Sequence, residues 1–235
     1  MNLRKKLIFI VCSMLMFISF GFSGASASAA TIIGFGDSNT EGSNFYSLYP
    51  NELDQRWVVQ TGAINAGKSG NTIIQGYNRY RDDVLLKRPD YVTIMFGMVD
   101  MVLDESGNPA TSKLDFENTL NKMVDWAESY GITPILMTEP PVHQTLFYDR
   151  YPHKKEIYNS KGGVRLWANS YNEITRKVAR ERGVTLIDNY ANFVLKAGGA
   201  TDAQLWASGL IDSTGTHMTP RGHGVVTYSV NYYSK

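Results

Sequence analysis

From residue 31 onward, short apolar runs alternate with amphipathic segments of helical period. This alternation constrains the fold more than any other feature of the chain. The strand candidates are "TIIGFG" (31–36), "AINAG" (63–67), "YVTIMFG" (91–97), "TPILMTEPP" (133–141) and "VTLIDNY" (184–190). "YVTIMFG" is apolar at odd and even positions alike, as a parallel strand covered on both faces must be. Helical period marks residues 72–86, 112–131 and 164–183. In the second of these Leu114, Leu120, Met123, Val124 and Ala127 form the apolar stripe, and Gly131 and Gly183 are stop signals. Pro220 opens a C-terminal helix, while residues 142–162 lack strong periodicity and read as a long loop. Strands alternating with helices predict an α/β sandwich: a central parallel sheet with helices on both faces, in a single domain over 31–235.

The first thirty residues are of another kind. Arg4, Lys5 and Lys6 precede an apolar run from Leu7 to Phe22, and "ASASAA" (25–30) supplies small residues. That is the pattern of a secretory signal, with cleavage expected between Ala27 and Ala30. As an uncleaved anchor the run would be at the short end for a bilayer. Three of the 23 basic residues and none of the 22 acidic ones lie in this segment. The remainder is therefore slightly acidic, with no general attraction to nucleic acid or anionic lipid. Cys12 is the only cysteine. It leaves the rest of the chain without a disulfide or a thiolate metal site. It is also a poor lipid-attachment site, since little apolar sequence precedes it and the small residue expected just before it is absent. These features predict an exported bacterial protein, of Gram-positive type, with no membrane contact after signal cleavage.

Open parallel sheets bind ligands at the carboxyl ends of their strands. The segments there are "GDSN", "GKSGNT", "GMVD", "EPPVH", "DNY" and "DSTGTHMTPRGH". A serine nucleophile needs a base within hydrogen-bond reach, an orienting acid, and donors aimed at the developing oxyanion. Ser38 follows the first strand and His217 precedes the last helix, so the topology brings both to one sheet edge. Ser38 also stands near a helix N-terminus, where free amides hold an anion.

"GDSNTEG" with Ser38, "NAGKSGNT" with Gly70, "GMVD" with Gly97 and Asp100, and "HMTPRGH" with His217 resemble, in order and spacing, the four blocks of the SGNH, or GDSL-type, hydrolases. The resemblance spans essentially all of the chain after residue 30. It implies a flavodoxin-like three-layer α/β/α fold and ester hydrolysis without metal or cofactor. It makes Ser38 the nucleophile and His217 the general base, with the backbone amides of Ser38 and Gly70 in the oxyanion hole.

Two positions depart from the family pattern. Val99 stands where the third block has an asparagine whose side chain donates to the oxyanion; Asn39 is a candidate substitute. Thr214 stands three residues before His217, where the family places its acid. Asp212, five before, is the first candidate for that role, with Asp188 or a bare Ser38–His217 dyad as alternatives. Asp188 is equally a helix cap. Asp37 reads as a turn former and Asp100 as a support for the loop after the third strand. Glu139 and His143 lack a third metal ligand at plausible spacing. His223 reads as a helix residue, and Lys68, beside the oxyanion region, as solvated.

Residues 143–167 mix aromatic and basic side chains after a strand end and form the expected substrate wall. Asn39, Tyr148 and Arg150 are the candidate substrate contacts; Arg150, Lys154 and Lys155 would suit an acidic polymer. Two functions follow. One is a secreted serine esterase acting on a small-molecule or polysaccharide ester, foremost a carbohydrate deacetylase. The other is a carbohydrate- or cell-wall-binding protein on the same scaffold with weakened catalysis.

Overall fold

The computed structural model describes residues 30–42 and 63–233. The expected signal segment lies, Ala30 apart, outside the described residues. Five strands form one all-parallel sheet: β1 (Ile32–Gly36), β2 (Ala63–Gly67), β3 (Tyr91–Met95), β4 (Thr133–Met137) and β5 (Thr185–Ile187), in the order β2-β1-β3-β4-β5. The helices are α1 (Ser38–Glu41), α2 (Ile73–Asp83), α3 (Lys113–Ser129), α4 (Gln144–Arg150), α5 (Lys155–Asn159), α6 (Val164–Arg182), α7 (Asn189–Ala197), α8 (Asp202–Ser208) and α9 (Pro220–Tyr233).

Strand alternation sorts the core into two halves. Ile33, Phe35, Val92, Ile94 and Leu136 face one side, packed with Tyr80 of α2, Leu120 and Val124 of α3, and Tyr171 and Val178 of α6. Ile32, Met95, Ile135, Met137 and Ile187 face the other, against Phe193 of α7 and Val226 and Val230 of α9. The result is the three-layer sandwich. Order 2-1-3-4-5 puts the chain reversal between β1 and β3, so their carboxyl ends open the crevice where such sheets bind ligands.

Residues 142–162 are not a loop. His143 caps α4 by accepting the Leu146 N–H at 3.3 Å. A turn of 3-10 helix at Pro152–Lys154 leads into α5. Helices this short carry too little apolar repeat to be seen as periodic. In α3, Leu114 is 68% exposed and Phe116 takes its place in the stripe. Ser112 begins that helix, its hydroxyl accepting the Asp115 N–H at 3.1 Å.

Candidate active site

β1 passes into α1 through a turn that leaves no room for side chains. A Cβ on Gly36 would lie 2.1 Å from Thr40 Oγ1, and one on Gly67 2.1 Å from the Glu41 nitrogen. Glycine at both places lets α1 sit directly on the ends of β1 and β2. Asp37 caps α1 by accepting the Asn39 N–H at 2.9 Å. Ser38 is then the first helical residue, half-buried at the crevice, and its N–H has no intrahelical acceptor.

His217 reaches Ser38 from a closed loop. An antiparallel bridge between Ile211 and Met218 pins the loop base, and the Asp212 N–H donates to the His217 carbonyl at 2.9 Å. Ser38 Oγ and His217 Nε2 are 3.1 Å apart. His217 Nδ1 meets Thr214 Oγ1 at 2.9 Å. Asp212 does not contact the imidazole. Its Oδ1 instead accepts the Thr214 N–H at 2.8 Å and the Thr214 hydroxyl. This corrects the expectation that the longer loop delivers Asp212 directly to His217. The aspartate folds over its own turn, as Asp side chains do, and Thr214 occupies the place beside Nδ1. Asp188 is farther out of play: it caps α7 through Ala191 N–H at 3.0 Å and pairs with Arg176 at 2.7 and 2.9 Å. Burial holds the His217 pKa below its usual 6.5; Asp212 opposes that shift and Arg150 adds to it. The shift favours the neutral ring that a proton acceptor needs.

Behind Ser38 lies a buried acid group. Asn39 is 1% exposed, and its amide donates to Glu139 Oε2 at 2.9 Å and to the Thr216 carbonyl at 3.2 Å. Both amide protons are consumed, so Asn39 can neither supply the missing oxyanion donor nor touch substrate. It ties the His217 loop to α1 instead. Glu139 and Asp37 are both buried, and burial raises both acids: Asp37 to about 7 and Glu139 well above its usual value, with the Asp37 charge adding to the rise of Glu139. Asp37 Oδ2 and Glu139 Oε1 have no hydrogen-bond partner among the described residues. Asp100 accepts the Ile73 N–H at 2.9 Å and joins the start of α2 to the loop after β3; burial raises it to about 6.

A cavity of about 420 Å³ opens beside Ser38 and His217. Met98, Val99, Met101, Val102, Phe147 and Tyr158 form most of its wall, with Tyr151, Lys154 and Ser69 also lining it. Gly70, at φ +76°, lies on the rim, and the hydrogen bonds of the described residues leave its N–H unengaged. Arg79 steadies that rim: it donates to the carbonyls of Gly36 at 2.9 Å and Ala66 at 2.7 Å, and to Asn71 at 2.9 Å. Val99 faces the cavity without a side-chain donor.

The aromatic segment reaches the site through residues other than Tyr148 and Arg150. Tyr148 is buried, its hydroxyl accepting from the Val164 N–H at 3.0 Å and bonded to Asn159 at 3.2 Å. Arg150 is exposed and lies over the Tyr151 ring at 5.5 Å; it acts on His217 through charge alone. Reading by residue type pointed to this segment. Which of its aromatics turn inward depends on α4 and α5. Met98, Met101 and Val102 carried no chemical signal in the sequence. A larger cleft of about 470 Å³ between α7 and α9, lined by Leu195, Lys196, Arg221 and Tyr228, lies apart from this serine–histidine pair.

Known proteins resemble this chain at two levels. The lipase/acylhydrolase of Enterococcus faecalis superposes with a TM-score of 0.67 at 21% identity, covering 86% of this chain and 93% of that one. A catalytic mutant of the acetylxylan esterase Axe2 from Geobacillus stearothermophilus gives 0.64 at 20% identity, covering 87% and 94%. Those likenesses concern the fold. In sequence, a Bacillus subtilis (strain 168) protein described as the uncharacterized lipoprotein YqeF is 39% identical, with 93% of this chain and 94% of the relative covered. An acetylxylan esterase of Geobacillus stearothermophilus is 25% identical over 55% of each chain. The model of the GDSL-like lipase/acylhydrolase family matches residues 35–225, a span that runs from β1 through the His217 loop into α9, and the chain belongs to that family.

Proposed function

We propose that this protein is an exported serine ester hydrolase working through an acyl-enzyme. The observation that carries the reading is the 3.1 Å approach of Ser38 Oγ to His217 Nε2 at the mouth of the cavity, where burial favours the neutral ring. Ser38 Oγ attacks the ester carbonyl as its proton passes to Nε2. The carbonyl oxygen, now negative, is held by the N–H groups of Ser38 and Gly70. Nε2 then returns the proton to the departing alcohol. Water, deprotonated by the same nitrogen, releases the acid.

The apolar cavity suits the acyl half of the ester, because its wall offers little to bind sugar hydroxyls. It is roomier than an acetyl group requires, so acyl chains beyond acetyl fit. A carbohydrate alcohol would lie toward the open rim near Lys68 and Ser69, which are exposed. An acetylxylan esterase among the relatives supports that alcohol class. Export is supported by the basic and apolar N-terminus and by a relative described as a lipoprotein. Signal cleavage or lipid attachment at Cys12 would both place the domain outside the cytoplasmic membrane.

A second reading, a binding protein with weakened catalysis, rests on Val99. Hydrolysis of p-nitrophenyl acetate, butyrate and octanoate separates the two. The enzyme reading expects turnover that Ser38→Ala abolishes, with butyrate used at least as well as acetate. Equal rates for wild type and Ser38→Ala would leave the binding reading.

A further inference from the structure

We propose that Thr214 is a positioning residue whose hydroxyl links the Asp212 carboxylate to His217 and fixes the imidazole tautomer. This rests on the reading of Ser38 and His217 as nucleophile and base.

The hydroxyl has one proton and three possible acceptors, Asp212 Oδ1, His217 Nδ1 and, at 3.3 Å, Thr216 Oγ1. A carboxylate is the strongest acceptor, so the proton points to Asp212. The Thr214 oxygen then turns a lone pair to Nδ1 at 2.9 Å, and Nδ1 must carry a proton. With the neutral ring's only proton on Nδ1, Nε2 is bare and accepts the Ser38 hydroxyl at 3.1 Å. When Ser38 Oγ bonds to the carbonyl carbon, its proton goes to Nε2 and the ring becomes a cation. Thr214 keeps its own proton throughout. Polarised by Asp212, its oxygen stabilises that cation at one remove. Among the described residues, the charged and titratable groups that act on His217 are Asp212, Arg150 and His223, and of these only Asp212 connects through a hydrogen-bonded hydroxyl. Thr214 Oγ1 also accepts the N–H groups of Thr216 at 3.3 Å and His217 at 3.2 Å, so it shapes the turn as well. The test must separate that role from the link.

Two readouts do so. In protein labelled with 15N-histidine, with the His217 signal assigned by its loss in His217→Asn, a hydrogen-bonded Nδ1–H is expected for wild type and Thr214→Ser. It should vanish in Thr214→Val. This arm needs no esterase activity, so it decides the link even if Ser38→Ala shows the hydrolase reading to be wrong. In ester hydrolysis, Thr214→Val should lower kcat about tenfold or more with KM within about twofold, and Thr214→Ser should recover most of the loss. Adding Asp212→Asn to Thr214→Val should cost little further, since both act through one chain of bonds. If Thr214→Val does not fold, Asp212→Asn alone serves: without its charge the acid limb of kcat/KM moves to lower pH. Wild-type kcat in Thr214→Val, equal impairment in Thr214→Ser, multiplying losses, a Nε2–H tautomer in wild type, or an unmoved acid limb in Asp212→Asn would each overturn the proposal.

Discussion

Val99 presents methyl groups to the cavity at the position where the resemblance to SGNH hydrolases expects an amide donor. Asn39, the nearest substitute by sequence, has both amide protons committed to Glu139 and Thr216. The oxyanion hole proposed above is therefore left with the backbone N–H groups of Ser38 and Gly70. One missing donor in such a site typically costs about 10²–10³ in turnover. Val99→Asn is accordingly expected to raise kcat on p-nitrophenyl butyrate by about tenfold or more, with a smaller change in KM. An unchanged or lower kcat would mean that another donor already fills the place. At this scale the chain was partly legible. Ser38, His217 and Gly70 stand out by residue type and by their position after strands. Thr214 does not, because nothing in "DSTGTH" says that Asp212 folds back over its own turn rather than reaching the ring.

The elements carrying these residues are fastened around a buried acid pair. Asp37 leaves β1 and Glu139 leaves β4; Asn39, close to Asp37 in the chain, donates to Glu139 Oε2 at 2.9 Å and so ties the two strand ends beneath Ser38. Asn39 extends the tie to the His217 loop. In the folded chain Glu139 keeps its proton well above its usual value of 4.5, whereas the unfolded chain loses it there. The unfolded state then binds fewer protons than the native state. Stability due to this group falls as pH rises from 4.5 until Glu139 ionises in the folded chain. Asp37, raised to about 7, acts in the same direction. Glu139→Gln preserves an acceptor for Asn39 and a donor for Asp37 but does not titrate. Its melting temperature should gain on wild type as pH rises above 4.5; melting temperatures that stay parallel as pH rises would contradict a Glu139 that keeps its proton in the folded chain. The tie was illegible beforehand, because Asp37 and Glu139 are about a hundred residues apart (|i−j| is 100 for Asn39 and Glu139) and only the sheet makes them neighbours. For α4 and α5 the reason is length: a helix of five to seven residues completes too few turns to display a period.

Across the whole molecule, the strand order β2-β1-β3-β4-β5 sets Ser38 at the end of β1, between strands whose connections run to opposite sides. Gly70 and Val99 arrive from the ends of β2 and β3, and His217 from the approach to α9. The architecture was readable because five apolar strands and the longer helices repeat their pattern over enough residues, and buried positions alternate between the two core halves as pattern alone requires. The shape of the cavity was not readable, since it depends on Met98, Met101, Val102 and Tyr158, whose residue types occur in any core. The central claim is that Ser38 becomes acylated. It is tested most directly by intact-mass and peptide mass spectrometry of protein treated with a fluorophosphonate, which mimics the tetrahedral acyl intermediate. The account predicts a single adduct on the peptide containing Ser38, absent in Ser38→Ala. No adduct, or one that persists in Ser38→Ala, would contradict it.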